Sequence, residues 1–498
     1  ALKNWESGQD HVAIYMYNGN EYPESILGIL KARAVPVNVN YRYVEEELVH
    51  LLNDASVKAI IYHACFAATL KKILAELPTV KVLIQVDDGS GEELLPGAFD
   101  YEEVLKAAST EKPATNPSPD DLYMIYTGGT TGMPKGVLWK QSDFLASMLG
   151  GRHEDGTPIT EIQEFADKAI HSKTSSSLAA PPYMHGTGQL VSFVAWHNGN
   201  TVVLQDNVER LDPAELLRTA EREKVKTIAL VGDAFARPIA QALKQKSYDL
   251  SSLRLLVSSG AVFSSRLKDE LLSHLPHISI IDAFGSTETG PHVHNISTAA
   301  QGEASAQFQM SANGCVLKED KSGLAEPGHE GLGWFAVQKT IPLGYLNDEK
   351  KTKETFPTID GKRFTVPGDR VKLLKNGRME FLGRDSATIN SGGEKIFAEE
   401  VEQAIKHHPN VADVVVTSRP STRWGNEVVA LVQLYGSQAD LTQDLKVETA
   451  KHIARYKLPK LYLFVDKVKR GENGKTDYRW AKDLALQSLM KEVPAYGS

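Results

Sequence analysis

Cysteine is almost absent from this chain: Cys65 and Cys315 are its only two in 498 residues, and they stand far apart. That spacing excludes a CxxC metal knuckle and a disulfide framework, and it points to a reducing, cytoplasmic setting. Long apolar runs are absent too. No stretch approaches the roughly 20 residues that a membrane helix needs, and the opening ALKNWESGQDHVAIYMYNGN lacks the layout of a signal peptide. Reversible contact with a membrane surface is the one membrane role left open. Positive charge is not in excess, with 55 Lys and Arg against 63 Asp and Glu and a net charge of -8. The chain therefore has no general cationic field for nucleic acid, and any phosphate ligand must be held by a dedicated site. Internal repeats and low-complexity tracts are missing as well.

What remains is an ordinary globular composition, 42% hydrophobic and 24% charged. A single core rarely grows past roughly 250 to 300 residues, so two unequal domains are expected. From residue 45 onward, helix-like segments alternate with apolar strand-like runs: EEELVHLLNDA then VKAIIY, DPAELLRTAEREK then VKTIALVG. AFARPIAQALKQ, LRLLVSSGAV, SSRLKDELLSHL and ISIIDAFGSTETG continue it. This grammar predicts βαβ units and parallel sheet, with ligands beyond the carboxyl ends of the strands. After about residue 300 the sequence turns Gly-rich, which predicts antiparallel sheet. Past Arg384 an α+β pattern appears, with helix AEEVEQAIKHHP, strands ADVVVTS and EVVALVQLY, helix VETAKHIARY and strand LYLFVDK. The expected architecture is α/β: a large domain over 1–383, with parallel or mixed sheets, flanking helices and a β-rich part, then a small mobile α+β domain over 384–498.

The strongest local signal is LYMIYTGGTTGMPKG, an apolar strand from Leu122 to Tyr126 opening into a Gly/Thr loop that ends at Lys135. Gly128, Gly129 and Gly132 allow close backbone approach, exposed N–H groups form an anion nest, and hydroxyls with one ammonium complete the charge for a polyphosphate. It is not a Walker A loop, because Pro134 precedes Lys135 and neither Ser nor Thr follows it.

YTGGTTGMPKG resembles the phosphate-binding signature of the adenylate-forming superfamily, which includes acyl-CoA synthetases, luciferases and peptide-synthetase adenylation domains. Gly128 departs from the usual Ser, leaving Thr127, Thr130 or Thr131 to supply that hydroxyl. Further signatures follow in order along almost the whole chain. In IDAFGSTETG (281–290) the resemblance implies that Phe284 stacks on adenine, Asp282 meets the base's amino group, Thr287 contacts the α-phosphate and Glu288 holds Mg²⁺, with Ala283, Gly285 and Ser286 between them in the ATP/AMP site. A single carboxylate suits Mg²⁺, which typically takes one or two carboxylates plus substrate phosphates. SSGAVFS (258–264) resembles the segment on the other face of adenine, with Gly260 and Ala261 small enough for the ring. PGDR and GRDS place Asp369 on the ribose hydroxyls, Arg384 on ribose and phosphate, and Asp385 at a hinge. NSGGEKIF implies a CoA tunnel at Ser391, Gly392 and Gly393, and RGENGKTDYRWAK implies that Lys475 bridges the acid and the α-phosphate. The common Pro before that Lys is replaced by Val468, Lys469 and Arg470. PPYMHGTG implies that His185 gates an acyl pocket, lined further by Gly186, Gln189, Leu190, Val231 and Gly260.

The resemblance implies an ATP-dependent acid:CoA ligase that forms acyl-AMP and pyrophosphate and then passes the acyl group to CoA. Lys475, Thr287, Glu288 and Lys135 are its catalytic candidates. The ending GKTDYRWAK, with VGDAFARP, is similar to fatty-acid and steroid-side-chain CoA ligases. No acidic residue occurs between 181 and 199 to hold an amino-acid ammonium, so a medium to long apolar acid or a hydrophobic ring-system side-chain acid is expected. Leu190 and Phe193 equally fit a core-facing helix by their spacing, and Asp233 would admit a polar substrate if it faced the pocket. The rival readings are a ligase that loads a carrier protein, a luciferase-like oxygenase and a non-catalytic nucleotide-binding relative. Partners are small molecules, with a monomer or dimer expected. The family's usual amino-terminal residues before HVAIYMYNGN are expected to be truncated here.

Overall fold

The computed structural model describes residues 2–127, 133–153, 155, 157–172, 175–261, 263–301, 307–391, 394–421, 423–436, 441–471 and 474–492. The amino-terminal part is a five-stranded parallel sheet in the order Val35–Asn38, His11–Tyr15, Ala59–His63, Val82–Val86, Phe99–Asp100. Its helix Glu45–Asp54 shows the local logic. Three glutamates in the first turn complement the helix dipole, and Glu47 reaches back to the Val44 N–H at 3.1 Å. Leu48, Leu51 and Leu52 then fall on one face and are buried.

The central sheet is thirteen-stranded. Strands Thr201–Val203, Ser176–Ala179, Thr227–Leu230, Leu255–Ser259 and Ser279–Ser286 run parallel, linked by helices such as Pro213–Arg222, Gly232–Gln245 and Ser265–His274. Asp212 caps the first of these helices by accepting from the N–H groups of Ala214 and Glu215, with Pro213 in the first turn. Leu216, Ile239, Leu256 and Leu271 close the core between sheet and helices. Because these strands are parallel, their carboxyl ends share one edge, and the segments after Ala179, Leu230, Ser259 and Ser286 meet there. The shift to antiparallel pairing comes with Gly290–Thr298, and the sheet then continues through Gln307–Met310, Met379–Arg384, Asp369–Leu373 and Gly333–Gln338. The strand predicted over Leu122–Tyr126 is realised as Leu122–Thr127 and pairs antiparallel with Lys135–Lys140, so that Thr127 lies opposite Lys135.

Beyond Asp385 the chain builds separate sheets. Thr388–Ser391 pairs with Glu394–Phe397, and Val411–Ser421, Gly425–Leu434 and Leu461–Phe464 make a three-stranded sheet. Strand alternation feeds both of its faces: Val414 and Val416 pack on Val401 and Ile405, while Val415 and Leu431 pack on Ala481 and Ala485. One expected helix is displaced. It spans Thr442–Thr449 rather than 447–456, because Leu445 is the buried anchor whereas Val447 is 55% exposed. No helix among the described residues is long and apolar enough to cross a membrane.

Candidate active site

Glycine makes the sheet edge possible at two points. Gly260, directly after strand Leu255–Ser259, has φ +88°, a left-handed conformation that disfavours other residues. At Gly285 a Cβ would land 2.1 Å from the Gly290 carbonyl oxygen, so the chain can double back there only as glycine. The following turn is fastened by hydroxyls: Thr289 Oγ1 accepts from the Ser286 N–H at 2.8 Å, and Ser286 Oγ accepts from the Glu288 N–H at 3.2 Å. Thr287 is fixed through its carbonyl, which accepts from Trp139 Nε1 at 3.0 Å. Glu288 Oε1 accepts from the Tyr345 hydroxyl at 2.8 Å.

Asp369 and Arg384 lie opposite each other on paired strands. Asp369 is 1% exposed, and Arg384 Nε stands 3.3 Å from its Oδ1, which has no well-formed hydrogen bond. Burial raises the Asp369 carboxyl above its usual range, while Arg384 opposes that rise. Lys135 Nζ donates to Asp348 Oδ2 at 2.5 Å and lies 5.8 Å from the Tyr345 ring centre. Gly128, Gly129, Thr130, Thr131 and Gly132 lie outside the described residues.

A cavity of about 460 Å³ opens between the large sheet and the small domain. Gly260, Ala261, Ala283, Phe284 and Gly285 form its large-domain wall, and Arg384 and Lys475 close it. The Phe284 ring is held by Phe381 at 4.6 Å and Phe335 at 5.7 Å between centres. Asp282 also borders the cavity, but its carboxylate accepts from Lys268 Nζ at 2.6 Å in a buried pair. Lys475 sits on a small-domain hairpin whose Gly474 has φ +70° and packs so closely that a Cβ would lie 3.3 Å from Val231 Cγ1. Burial and the Arg384 guanidinium lower the Lys475 ammonium from its ordinary value, with Glu288 pulling the other way. Burial, helped by Lys475 and Arg42, pushes the His185 ring down to about 4.

The expected acyl lining divides. Val231 and Thr187 flank Gly260, and a Cβ on Gly186 would be in ordinary contact with Ile125. Gln189 is 3% exposed with both ends engaged, accepting from the Tyr123 hydroxyl at 2.7 Å and donating to the Tyr183 carbonyl at 2.6 Å. Leu190 and Phe193 pack into the core. Asp233 is committed to Ser264 and to Lys406 of the small domain. Ser391 is buried on its hairpin, Gly392 and Gly393 lie outside the described residues, and Asp385 opens a 3-10 turn with its N–H donating to the Gly368 carbonyl at 2.9 Å. Sequence reasoning missed Tyr345, Asp348, Trp139 and Lys268, each of which grips a candidate residue from a distant segment.

Residues 6–340 match the AMP-binding enzyme family, and residues 400–475 match the AMP-binding enzyme C-terminal domain. The chain belongs to the AMP-binding enzyme family, as an acyl-CoA synthetase of the adenylate-forming superfamily. It is 47% identical to the medium-chain acyl-CoA ligase Mig of Mycobacterium avium, over 98% of this chain and 88% of that one. It is 38% identical to a medium/long-chain-fatty-acid–CoA/3-oxocholest-4-en-26-oate–CoA ligase of Mycolicibacterium smegmatis, over 98% of this chain and 89% of that one. The fold is shared with the anthranilate CoA ligase AuaEII in complex with anthranoyl-AMP, at TM-score 0.80 and 21% identity over 97% of this chain and 88% of that one. ATP-bound MatB from Rhodopseudomonas palustris shares it too, at TM-score 0.78 and 20% identity over 97% of this chain and 90% of that one.

Proposed function

We propose that this acyl-CoA synthetase activates medium- to long-chain apolar acids, including acids on the side chain of a hydrophobic ring system, through the residues gathered at the sheet edge. The observation that carries the reading is convergence: Lys475 and Arg384 line one cavity, Arg384 Nε stands 3.3 Å from the buried Asp369 carboxylate, and the charges of Arg384 and Glu288 both act on the Lys475 ammonium. In the first step a substrate carboxylate oxygen attacks the α-phosphorus of ATP and pyrophosphate leaves. The Lys475 ammonium bridges the two reacting anions, and Thr287 and the loop around Lys135 orient the phosphates. Asp369 offers its unsatisfied buried oxygen to the ribose hydroxyls, Arg384 balances its charge, and Phe284 with Gly260 bounds the base. In the second step the CoA thiol attacks the acyl carbonyl, AMP leaves, and Ser391, Gly392 and Gly393 line the thiol's approach.

Magnesium fits the donor set, because Glu288 supplies one hard carboxylate oxygen with its rotamer set by Tyr345, leaving phosphates and water as the other ligands. Bound there, it supplies neutralisation of phosphate charge. His185, whose ring burial pushes down to about 4, is uncharged at pH 7 and serves as a neutral gate. Asp233 has its carboxylate engaged, so it offers no counter-charge to an amino-acid ammonium. The two curated relatives, named for medium-chain, long-chain and cholestenoate-type substrates, support the same class. We place the large domain over 1–383 and the small domain over 384–498, with the hinge at Asp385, and the enzyme in the cytoplasm, with Cys65 and Cys315 as free thiols.

Pyrophosphate release with acids from C2 to C18, a steroid side-chain acid and several amino acids, each with and without CoA, tests the proposal. Each buried methylene contributes about 0.8 kcal/mol, so kcat/KM should climb with chain length until the pocket fills. A maximum at acetate or at an amino acid would overturn it.

A further inference from the structure

Ahead of Lys475 the chain reads Val468, Lys469 and Arg470 with no proline, and the Arg470 side chain holds the segment that carries the lysine. Its Nη1 donates to Thr476 Oγ1 at 2.9 Å and to the Gly474 carbonyl at 3.4 Å, gripping the residues on either side of Lys475. The backbone closes the same hairpin: the Gly471 N–H donates to the Lys475 carbonyl at 2.8 Å, and Arg470 faces Thr476 in an antiparallel bridge. Arg470 is itself clamped from behind. Its Nε and Nη2 donate to the two oxygens of Asp413 at 2.6 and 2.9 Å, a bidentate fork with fixed geometry.

The contacts continue across the domain boundary. Lys406 Nζ lies 3.6 Å from Asp413 Oδ1 and 3.0 Å from Asp233 Oδ2, and all three side chains are largely buried. Asp233 is anchored in the large domain by the Ser264 N–H at 2.8 Å and by the Ser264 hydroxyl at 3.0 Å. A continuous line of charge-assisted contacts therefore runs from the large domain, Asp233 to Lys406 to Asp413 to Arg470, and ends on both neighbours of Lys475. Asp233 also begins the helix against which Gly474 packs. Asp233, Lys406 and Arg470 border the same cavity as Lys475, and Asp413 stands behind them.

We infer that Arg470 is the positioning residue for Lys475, holding its ammonium at the reacting centre through a buried ionic relay that reaches Asp233 only in the domain orientation seen here. This rests on the proposal that Lys475 serves the adenylation step. The relay acts by geometry: a displacement of about 1 Å at a reacting group can cost on the order of a hundredfold in rate. Lysine in place of Arg470 keeps the charge but cannot form the fork.

The test measures both half-reactions separately in R470K, with pyrophosphate release in single turnovers for the first and consumption of synthetic acyl-AMP by CoA for the second. R470K should lower the adenylation rate at saturating ATP by about a hundredfold, with the KM for ATP and the thioesterification rate each within about twofold. In a K475A background, R470K should cause little further loss of the residual adenylation rate, because the arginine acts through the lysine. D413N, which removes half of the fork from the other side, should reproduce the pattern. Unchanged adenylation, equal loss in both half-reactions, or the same loss in the K475A background would each overturn the inference. Absence of pyrophosphate release from the unmodified enzyme with every acid would overturn the underlying reading as well, and that control is read before any variant.

Discussion

Glu402 shows how much a single residue in this site is governed by its surroundings. It sits on the buried side of helix Ala398–Lys406, 3% exposed, and accepts from the Val416 N–H at 2.9 Å. Burial pushes its carboxyl up to about 8, Glu399 pushes in the same direction, and Arg470 and Lys406 oppose. A folded value above the unfolded one of about 4.3 means that the native state holds the proton more tightly. The stability from that proton is fully present below about pH 4 and is lost as pH rises towards 8, with a slope of at most about 1.4 kcal/mol per pH unit. E402Q keeps a neutral acceptor, so its Tm should nearly match the unmodified protein's at pH 4 to 5 and exceed it increasingly towards pH 8. Parallel curves of Tm against pH would show that Glu402 is ionised throughout. Such environments explain why the chemically suited residues were legible in the sequence but their partners were not. Tyr345 grips Glu288 from 57 positions away, and no periodicity relates the two. Lys268 would pass for a solvated helix charge, yet it is 2% exposed and neutralises Asp282.

At the scale of elements, the sequence was most readable where burial alone dictates pattern. The alternation of apolar strands and amphipathic helices between 213 and 286 is realised as parallel sheet with crossover helices, since strands covered on both faces must be nearly all apolar. The final helix Tyr478–Glu492 was not read: its fully buried core residues are two small ones, Ala481 and Ala485, while Tyr478, Trp480 and Leu484 pack against the cluster only partly buried. Helix Gly186–His197 shows the opposite ambiguity: Leu190 and Phe193 fitted pocket and core alike, and packing put them in the core. The 3-10 turn Asp385–Ala387 is the short element between the large sheet and the small domain. Arg384 precedes it in an extended conformation, φ -88° and ψ 138°, which tolerates a following proline. D385P fixes φ near -65° and removes the N–H that bonds Gly368. Adenylation should survive and CoA-dependent turnover should fall by roughly tenfold or more if the swing depends on this torsion. Steady-state turnover equal to that of the unmodified enzyme would move the hinge elsewhere.

At the scale of the whole molecule, the large and small domains meet around the cavity lined by Arg384 and Lys475, and their contacts among the described residues include two kinds. Arg237 donates to the Tyr435 hydroxyl at 2.7 Å and Arg266 to the Pro409 carbonyl at 3.1 Å, peripheral contacts that each contribute little and release readily. Lys406 with Asp233, and Gly474 against Val231, are the buried contacts that define the orientation carrying Lys475 to the large domain. On the proposed roles, an enzyme with two chemically different steps at one site gains from this arrangement, because a lysine placed to neutralise two anions in the first step can be withdrawn for the thiol in the second. The most direct measurement of that claim is the pair of half-reaction rates in K475A. The account predicts that acyl-AMP formation falls by about a hundredfold or more while thioesterification of synthetic acyl-AMP stays within about twofold, and equal loss of both rates would contradict it.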